Sequence, residues 1–311
     1  MRLRVAGPVC AALTMHQSIE TAALFGHPEL EAVQSRMRQV ADWLTRAGVR
    51  VIVAEAGDGV GADRIPESEL ADEADLFIAV GGDGTMLYAA RLAVGHGIPL
   101  LGINLGRLGF LTDVSPDEID RSLQAVLDRR ALTETRLLLE ATVTRPDGEP
   151  STGLALNDVV LGRREPGRMI DFETRVNGVF VNDHAGDGLI AATPTGSTAY
   201  ALSCGGPIMQ PQLDAITLVP ICPHTLSDRP VVLPANSVIE VRRTERSHTH
   251  AEISIDGQFL AALTDADTLT IQASQHRLTL IHPPGYDYFE LLRSKLNWGA
   301  NSRRRDRRHE G

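Results

Sequence analysis

Up to about Thr135, apolar positions switch repeatedly between strand-like runs and helical spacing. A short apolar run at 22–25 closes on Gly26, and Leu30, Val33, Met37, Val40, Ala41 and Leu44 then recur at helical intervals until Gly48. This pattern predicts a strand, a helix and a second strand at 51–54. Acidic residues crowd 67–75 and lead into Leu-Phe-Ile-Ala-Val at 76–80, an unbroken apolar run typical of strands buried on both faces. A helix is expected over 86–94, with Leu87, Ala90 and Val94 on one face, and a further strand over 99–103. Ser115-Pro116-Asp117-Glu118 reads as a helix start, with Ser at the N-cap, Pro in the first turn and Glu three residues on. Ile119, Leu123, Val126 and Leu127 of that helix would face inward. Such alternation belongs to α/β folds built on a parallel sheet.

Beyond Thr135 the period shortens. A strand over 137–143, a turn at Pro146-Asp147-Gly148 and a strand over 154–161 come first. Short β-like runs follow at 172–176, 179–181, 189–192, 215–219, 238–242, 252–255, 269–271 and 278–281. Turn residues separate them at intervals of about ten, which predicts a β-rich domain of sandwich type. The segment 286–298 is helical in pattern and is expected to pack back on the first domain. The organisation expected is a disordered extension over 1–20, a Rossmann-like α/β domain over 21–136 and a β-rich domain over 137–284. A C-terminal helix over 285–300 and a solvated basic tail over 301–311 complete it. Arg2, Arg4 and the apolar patch 5–13 imitate a signal peptide, but Pro8 interrupts the patch and no small-x-small cleavage site follows.

Composition narrows the classes. A chain of 311 residues can hold two domains and a sizeable core. A net charge of −10 argues against nucleic acid or an anionic membrane as partner. No apolar run approaches the roughly 18 residues of a membrane span. Cys10, Cys204 and Cys222 are odd in number and lack metal-ligand spacing, as expected in a reducing cytoplasm. Lys295 is the only lysine, which excludes a P-loop, so phosphoryl transfer here must proceed without a loop lysine. His248 and His250 lie in a polar stretch and read as surface residues.

The chemistry concentrates in a few short motifs. Gly81-Gly82-Asp83-Gly84-Thr85 ends the 76–80 strand: three glycines let backbone N–H groups close on a phosphate while one carboxylate sits at the strand tip. Ligands bind at the carboxyl ends of strands in open α/β sheets. Asp187 and the string Thr193-Pro194-Thr195-Gly196-Ser197-Thr198-Ala199-Tyr200 combine hydroxyls, small side chains and an acid. A flat base could approach that backbone and bond at its polar edges. Asn157-Asp158, taken as a strand end, and Asp256-Gly257-Gln258, taken as a hairpin turn, carry further polar groups.

These motifs, together with Gly102-Ile103-Asn104, Leu108-Gly109-Phe110, Pro223-His224-Thr225-Leu226 and Arg229-Pro230, resemble in order the bacterial NAD kinases, from about Ala22 to Trp298. The resemblance implies an NAD kinase/diacylglycerol kinase-like fold, with γ-phosphoryl transfer from ATP, with Mg²⁺ or another divalent cation, to the 2′-hydroxyl of the adenosine ribose of NAD. It implies Asp83 as general base with Gly84 beside it. Nucleotide-binding positions would be Asn157, Asp158, Asp187 and Thr198, Ala199, Tyr200, Ala201, Leu202 and Ser203, with less fixed contacts at Arg168 and Gln258. A dimer or tetramer sharing its active sites between subunits is also implied. Asn157-Asp158 stands where the family usually has Asn-Glu, and Ala185 where some relatives carry a larger or basic residue, which bears on the choice between NAD and NADH. Two other readings share part of the signal. A lipid kinase of the diacylglycerol type has the Gly-Gly-Asp-Gly loop, and a non-catalytic dinucleotide sensor could keep the fold.

Overall fold

The computed structural model describes residues 18–27, 29–55, 60–106, 108–164, 168–244 and 250–298. The extension up to residue 17, with Cys10, the tail 301–311, Arg107 and His248 lie outside the described residues. The chain forms two compact units. The first comprises the described residues up to Ala89, Ile98–Glu134 and those from Leu280 onward; the second comprises Ala90–Gly97 and Thr135–Thr279.

In the first unit, β1 (Thr21–Gly26), α1 (Glu31–Arg46), β2 (Arg50–Ala54), β3 (Asp63–Ile65), α2 (Leu70–Glu73), β4 (Leu76–Val80), α3 (Asp83–Ala93), β5 (Leu100–Ile103) and α4 (Ile119–Leu127) follow in sequence. The strands lie in the order β5-β4-β1-β2-β3, and every pairing is parallel. All five residues of β4 are buried, as its unbroken apolar run requires. Helix α1 buries Val33, Met37, Val40, Ala41 and Leu44 against the sheet, whereas Leu30 precedes the helix and is exposed. The residues before α4 form a 3₁₀ turn over Pro116–Glu118. There Ser115 Oγ donates to the Glu118 carboxylate at 2.7 Å instead of capping the backbone. Helix α3 starts three residues earlier than its apolar spacing indicates, so Asp83 opens a helix and does not stand in the loop.

The second unit is antiparallel. Its strands are β6 (Leu132–Thr144), β7 (Ser151–Ala155), β8 (Asp158–Arg163), β9 (Ile170–Val176), β10 (Val179–Gly186), β11 (Gly188–Ala192), β12 (Ala215–Ile221), β13 (Val231–Pro234), β14 (Ile239–Arg243), β15 (Ala251–Ile255), β16 (Gln258–Leu263) and β17 (Thr268–His282). A short helix, α5 (Tyr200–Ser203), follows β11, and α6 (Tyr288–Leu296) follows β17 and groups with the first unit. Six strands form one sheet in the order β13-β12-β11-β8-β15-β16. Its inward residues Val159, Leu161, Leu189, Ile253 and Leu263 share a core with Leu139, Phe172, Ile239 and Leu269 of β6, β9, β14 and β17. The alternating burial of β9 and β15 is that of sandwich strands with one wet face.

Two expected strands differ in a way that matters for the site. The run 154–161 is not one strand: β7 ends at Ala155 and β8 begins at Asp158, so Asn157-Asp158 opens a strand instead of closing one. The runs 269–271 and 278–281 are parts of one fifteen-residue strand, β17, whose last residues pair in parallel with β5 through Leu280 and Leu100.

Candidate active site

In the first unit the chemistry is organised around the Asp83 carboxylate. Oδ2 accepts the N–H of Phe110 at 2.9 Å, Oδ1 accepts the N–H of Leu111 at 3.0 Å, and Thr112 Oγ1 lies 3.5 Å from Oδ1. Hydrogen bonds to a charged acceptor contribute about 1.5–3 kcal/mol each. The side chain is therefore tied to a loop 27 and 28 residues downstream. Glycines make the approach possible. A Cβ on Gly109 would collide with Asp83 Oδ1 and Thr112 Oγ1, and one on Gly102 would stand 2.6 Å from the Leu111 carbonyl. Gly82 and Gly84 flank the acid, are exposed, and would have nothing within 4 Å of an added Cβ, and Asp83 itself is partly exposed.

The loop itself is anchored from behind. Gly109 N–H donates to the Thr112 carbonyl at 2.9 Å, and Asn104 Oδ1 accepts the N–H of Gly106 at 2.8 Å. The next residue, Asp113, accepts from His282 Nδ1 at 2.5 Å, while His282 Nε2 lies 3.4 Å from Glu134. His282 is buried and stacks on Tyr286 with ring centroids 3.9 Å apart. Lys295 of α6, the only lysine, stands over the Phe110 ring, 5.7 Å from its centre.

The second unit has its own centre where β8 begins and β11 and β15 end. Asp256 lies in the tight turn between β15 and β16, with φ +48° followed by Gly257 at +77°, a backbone suited to an Asp-Gly hairpin. Its carboxylate accepts three backbone N–H groups, from Leu156 at 2.9 Å, Asn157 at 2.8 Å and Asp158 at 3.1 Å. These bonds break the strand between β7 and β8 and aim Asn157 and Asp158. The same corner receives the hydroxyl-rich string. Thr193 N–H donates to the Asn157 carbonyl at 2.9 Å, and Thr193 Oγ1 donates to the Leu156 carbonyl at 2.6 Å while accepting from Gly196 N–H at 3.0 Å. Gly196 packs so closely that any Cβ would overlap the Asn157 carbonyl.

Burial shapes the ionisation here. Asp158 is only 5% exposed; burial, and secondarily the negative charge of Asp256, push its carboxyl up to about 7. Burial also raises Asp256, against the opposing pull of its three backbone N–H donors and of Arg91, which groups with this unit. Tyr200 is half exposed; burial raises its phenol, with Cys204, Cys222 and Asp187 adding in the same direction. Asp187, just before β11, is held by Arg163 through Nε at 2.7 Å and a second guanidinium nitrogen at 3.3 Å.

Of the residues singled out from sequence, Asn157, Asp158, Asp187 and the stretch Thr198 to Ser203 gather in the second unit around β8 and β11, and Asp83 and Gly84 belong to the first. Arg168 and Gln258 are both exposed; Gln258 opens β16 directly after the Asp256 turn, and Arg168 precedes β9. Asp256 was read as a turn alone, and its grip on 156–158 was missed. The signal available was an acid in an Asp-Gly turn, but its partners lie 98 to 100 residues away.

Two outcomes follow from this corner. Asp256→Ala leaves three N–H groups without their acceptor and should lower unfolding free energy by about 2–4 kcal/mol in a denaturant titration. A change under about 1 kcal/mol would contradict the clamp. Asp158 titrates higher in the folded chain than its ordinary value of 3.8. Its contribution is therefore full below about pH 4 and is lost as pH rises through about 7. Between pH 5 and 8 the wild type should lose stability relative to Asp158→Asn, by about 1.3 kcal/mol per pH unit near pH 5–6, with the slope halving near pH 7 and fading toward pH 8. Parallel stability curves for the two proteins would contradict this ionisation.

Comparison with known proteins agrees with the motifs. The model of the ATP-NAD kinase N-terminal domain matches residues 23–131, and that of the ATP-NAD kinase C-terminal domain matches 156–283. An NAD kinase of Teredinibacter turnerae is 45% identical over 290 residues, covering 92% of this chain and 99% of the relative. One of Pseudomonas putida strain W619 is 44% identical over 93% of this chain and 99% of the relative. Among solved structures, a yeast NADH kinase complexed with NADH superposes with a TM-score of 0.84 at 26% identity, over 92% of this chain and 90% of that one. An NAD kinase from Archaeoglobus fulgidus in complex with ATP gives 0.70 at 29% identity, over 89% of this chain and 98% of that one. With two family models over most of its length and relatives above 40% identity, the chain belongs to the NAD kinase family.

Proposed function

We propose that Asp83 is the general base of an ATP-dependent NAD kinase. The 2′-hydroxyl of the adenosine ribose of NAD gives its proton to the Asp83 carboxylate as its oxygen bonds to the γ-phosphorus of ATP. The bond from that phosphorus to the β-γ bridging oxygen breaks, ADP leaves, and NADP is formed. The observation that carries this role is the clasp: Phe110 and Leu111 hold both carboxylate oxygens while Asp83 stays partly exposed. A carboxylate has about four lone-pair sites, so two such bonds leave room for the substrate hydroxyl. General base action contributes roughly 10²–10⁴-fold, and positioning with charge neutralisation contributes most of the rest.

Around NAD, the reading assigns Asn157 and Asp158 to polar contacts, with Asp187, Thr198, Ala199, Tyr200, Ala201, Leu202 and Ser203 lining the nucleotide. Asp158 with a pKa near 7 can donate or accept, which a shorter Asp in place of Glu makes useful at close range. Exposed Arg168 and Gln258 are the peripheral contacts, reaching ligand or a neighbouring copy in a dimer or tetramer. Among the described residues, no group of three or more His, Cys, Asp or Glu side chains could hold a metal ion. In this reading the divalent cation arrives with ATP, on its triphosphate. A cytoplasmic setting belongs to the same reading; among the described residues no helix is long and apolar enough to cross a membrane.

Incubation of the purified protein with NAD, ATP and Mg²⁺ should yield NADP and ADP in equal amounts. In the same assay Asp83→Asn should lower kcat by at least about 10²-fold. The amide also turns a donor toward one of the two clasping N–H groups. NAD binding measured by calorimetry should largely survive, and a near-wild-type kcat would remove Asp83 from the base role.

A further inference from the structure

Behind the loop that clasps Asp83 lies a buried cluster of ionisable side chains. β17 ends on His282, which the parallel pairing of Leu280 with Leu100 and of Ile281 with Leu101 fixes beside β5. Each ring nitrogen of this buried imidazole faces a different buried carboxylate: Nδ1 lies 2.5 Å from Asp113 Oδ2, and Nε2 lies 3.4 Å from Glu134. The other oxygen of Asp113, Oδ1, is buried without a hydrogen-bond partner among the described residues. Contact with His282 is therefore what compensates the Asp113 carboxylate.

That geometry fixes a proton count. A neutral imidazole has one N–H and one bare nitrogen, so one of its two carboxylate contacts would set lone pair against lone pair. With both nitrogens protonated, each contact becomes a charge-assisted hydrogen bond. Tyr286 stacks on the ring at 3.9 Å with 9° between the planes, an arrangement that suits a cation over a phenol face. Arg136, two residues beyond Glu134 on β6, is also buried. Asp113 in turn closes the loop that reaches Asp83. Its neighbour Thr112 places Oγ1 3.5 Å from Asp83 Oδ1 and accepts the N–H of Gly109 on its carbonyl, while Val114 N–H donates to the Gly102 carbonyl at 3.1 Å. The far end of the clasp is thus held by β5 on one side and by His282 on the other.

We propose that His282 is a doubly protonated positioning residue, which through Asp113 holds the 110–112 loop in register with Asp83 and so sets the rate of phosphoryl transfer. It touches neither substrate. This role deepens the kinase reading and rests on it for what kcat reports.

Nitrogen chemical shifts read the proton count without any substrate. In the full chain labelled with ¹⁵N at its 10 histidines, His282 is assigned by through-space contacts to the Tyr286 ring. Both of its ring nitrogens should be protonated from about pH 6 to about pH 8. A bare nitrogen at either position in that range would overturn the proposal. Two substitutions then separate positioning from plain stability. An Asn amide reaches the Nδ1 position and can still donate to Asp113, whereas a Gln amide reaches toward Nε2 and leaves Asp113 without its donor. In proteins that unfold cooperatively, His282→Gln should lower kcat for NADP formation by at least about tenfold, with KM for NAD and for ATP within about twofold. His282→Asn should recover kcat to within about threefold of wild type. Equal losses in the two variants, or a wild-type kcat in His282→Gln, would overturn the positioning role. If neither variant folds, the nitrogen shifts of the wild type decide the matter. Absence of NADP formation by the wild type would instead defeat the kinase reading, and the shifts would still report on His282.

Discussion

A buried or half-buried aspartate that accepts backbone N–H groups from a distant segment is the interaction on which both units of this protein depend. Asp83 ties α3 to the 110–111 loop, Asp256 ties the β15–β16 turn to residues 156–158, and Asp75 takes the N–H groups of Glu20 and Thr21 at 2.9 Å where β1 begins. A carboxylate suits this use because it has only acceptors and can serve two or three donors at once. Each bond is charge-assisted, and each relieves a backbone donor that would otherwise be orphaned at a strand or helix break. Irregular backbone is thereby held in one shape without being long or rigid itself.

The clasps also explain why the surrounding residues are small. Gly109 and Gly102 leave space for the loop that reaches Asp83, and Gly196 lets the hydroxyl string lie directly on the Asn157 carbonyl. Larger residues act from behind: His282 between Asp113 and Glu134, and Lys295 over Phe110. The result is two preorganised polar surfaces, one in each unit, whose donors and acceptors are set before any ligand arrives. Preorganisation of this kind is where phosphoryl-transfer enzymes gain most of their rate, since the protein contributes little covalent chemistry.

Local patterns in the sequence were sufficient for much of this. The β4 run followed by glycines around one acid marked Asp83, because every part of that signal lies within ten residues. The α1 spacing and the short alternating runs after Thr135 gave an α/β unit and a β-rich unit for the same reason. What escaped were features decided by partners far along the chain. A single apolar run at 154–161 gives no hint that Asp256 breaks it, and nothing in 269–281 announces that two short runs join in β17. The edge strands β3, β13 and β16 were also missed, having few buried residues to set a period. Asn157 and Asp158 were legible as candidate site residues from the motif order, but that they open a strand held by a distant carboxylate was not.

The central claim is that the loop places Asp83 as well as the acid itself doing chemistry. Gly109→Ala separates the two, because it keeps the carboxylate, adds no left-handed backbone strain, and puts one methyl where Asp83 Oδ1 and Thr112 Oγ1 now sit. Measured as kcat for NADP formation in a protein that still unfolds cooperatively, this variant should fall by about 10²-fold, the usual effect of displacing a reacting group by roughly an ångström. A kcat equal to wild type would contradict the account.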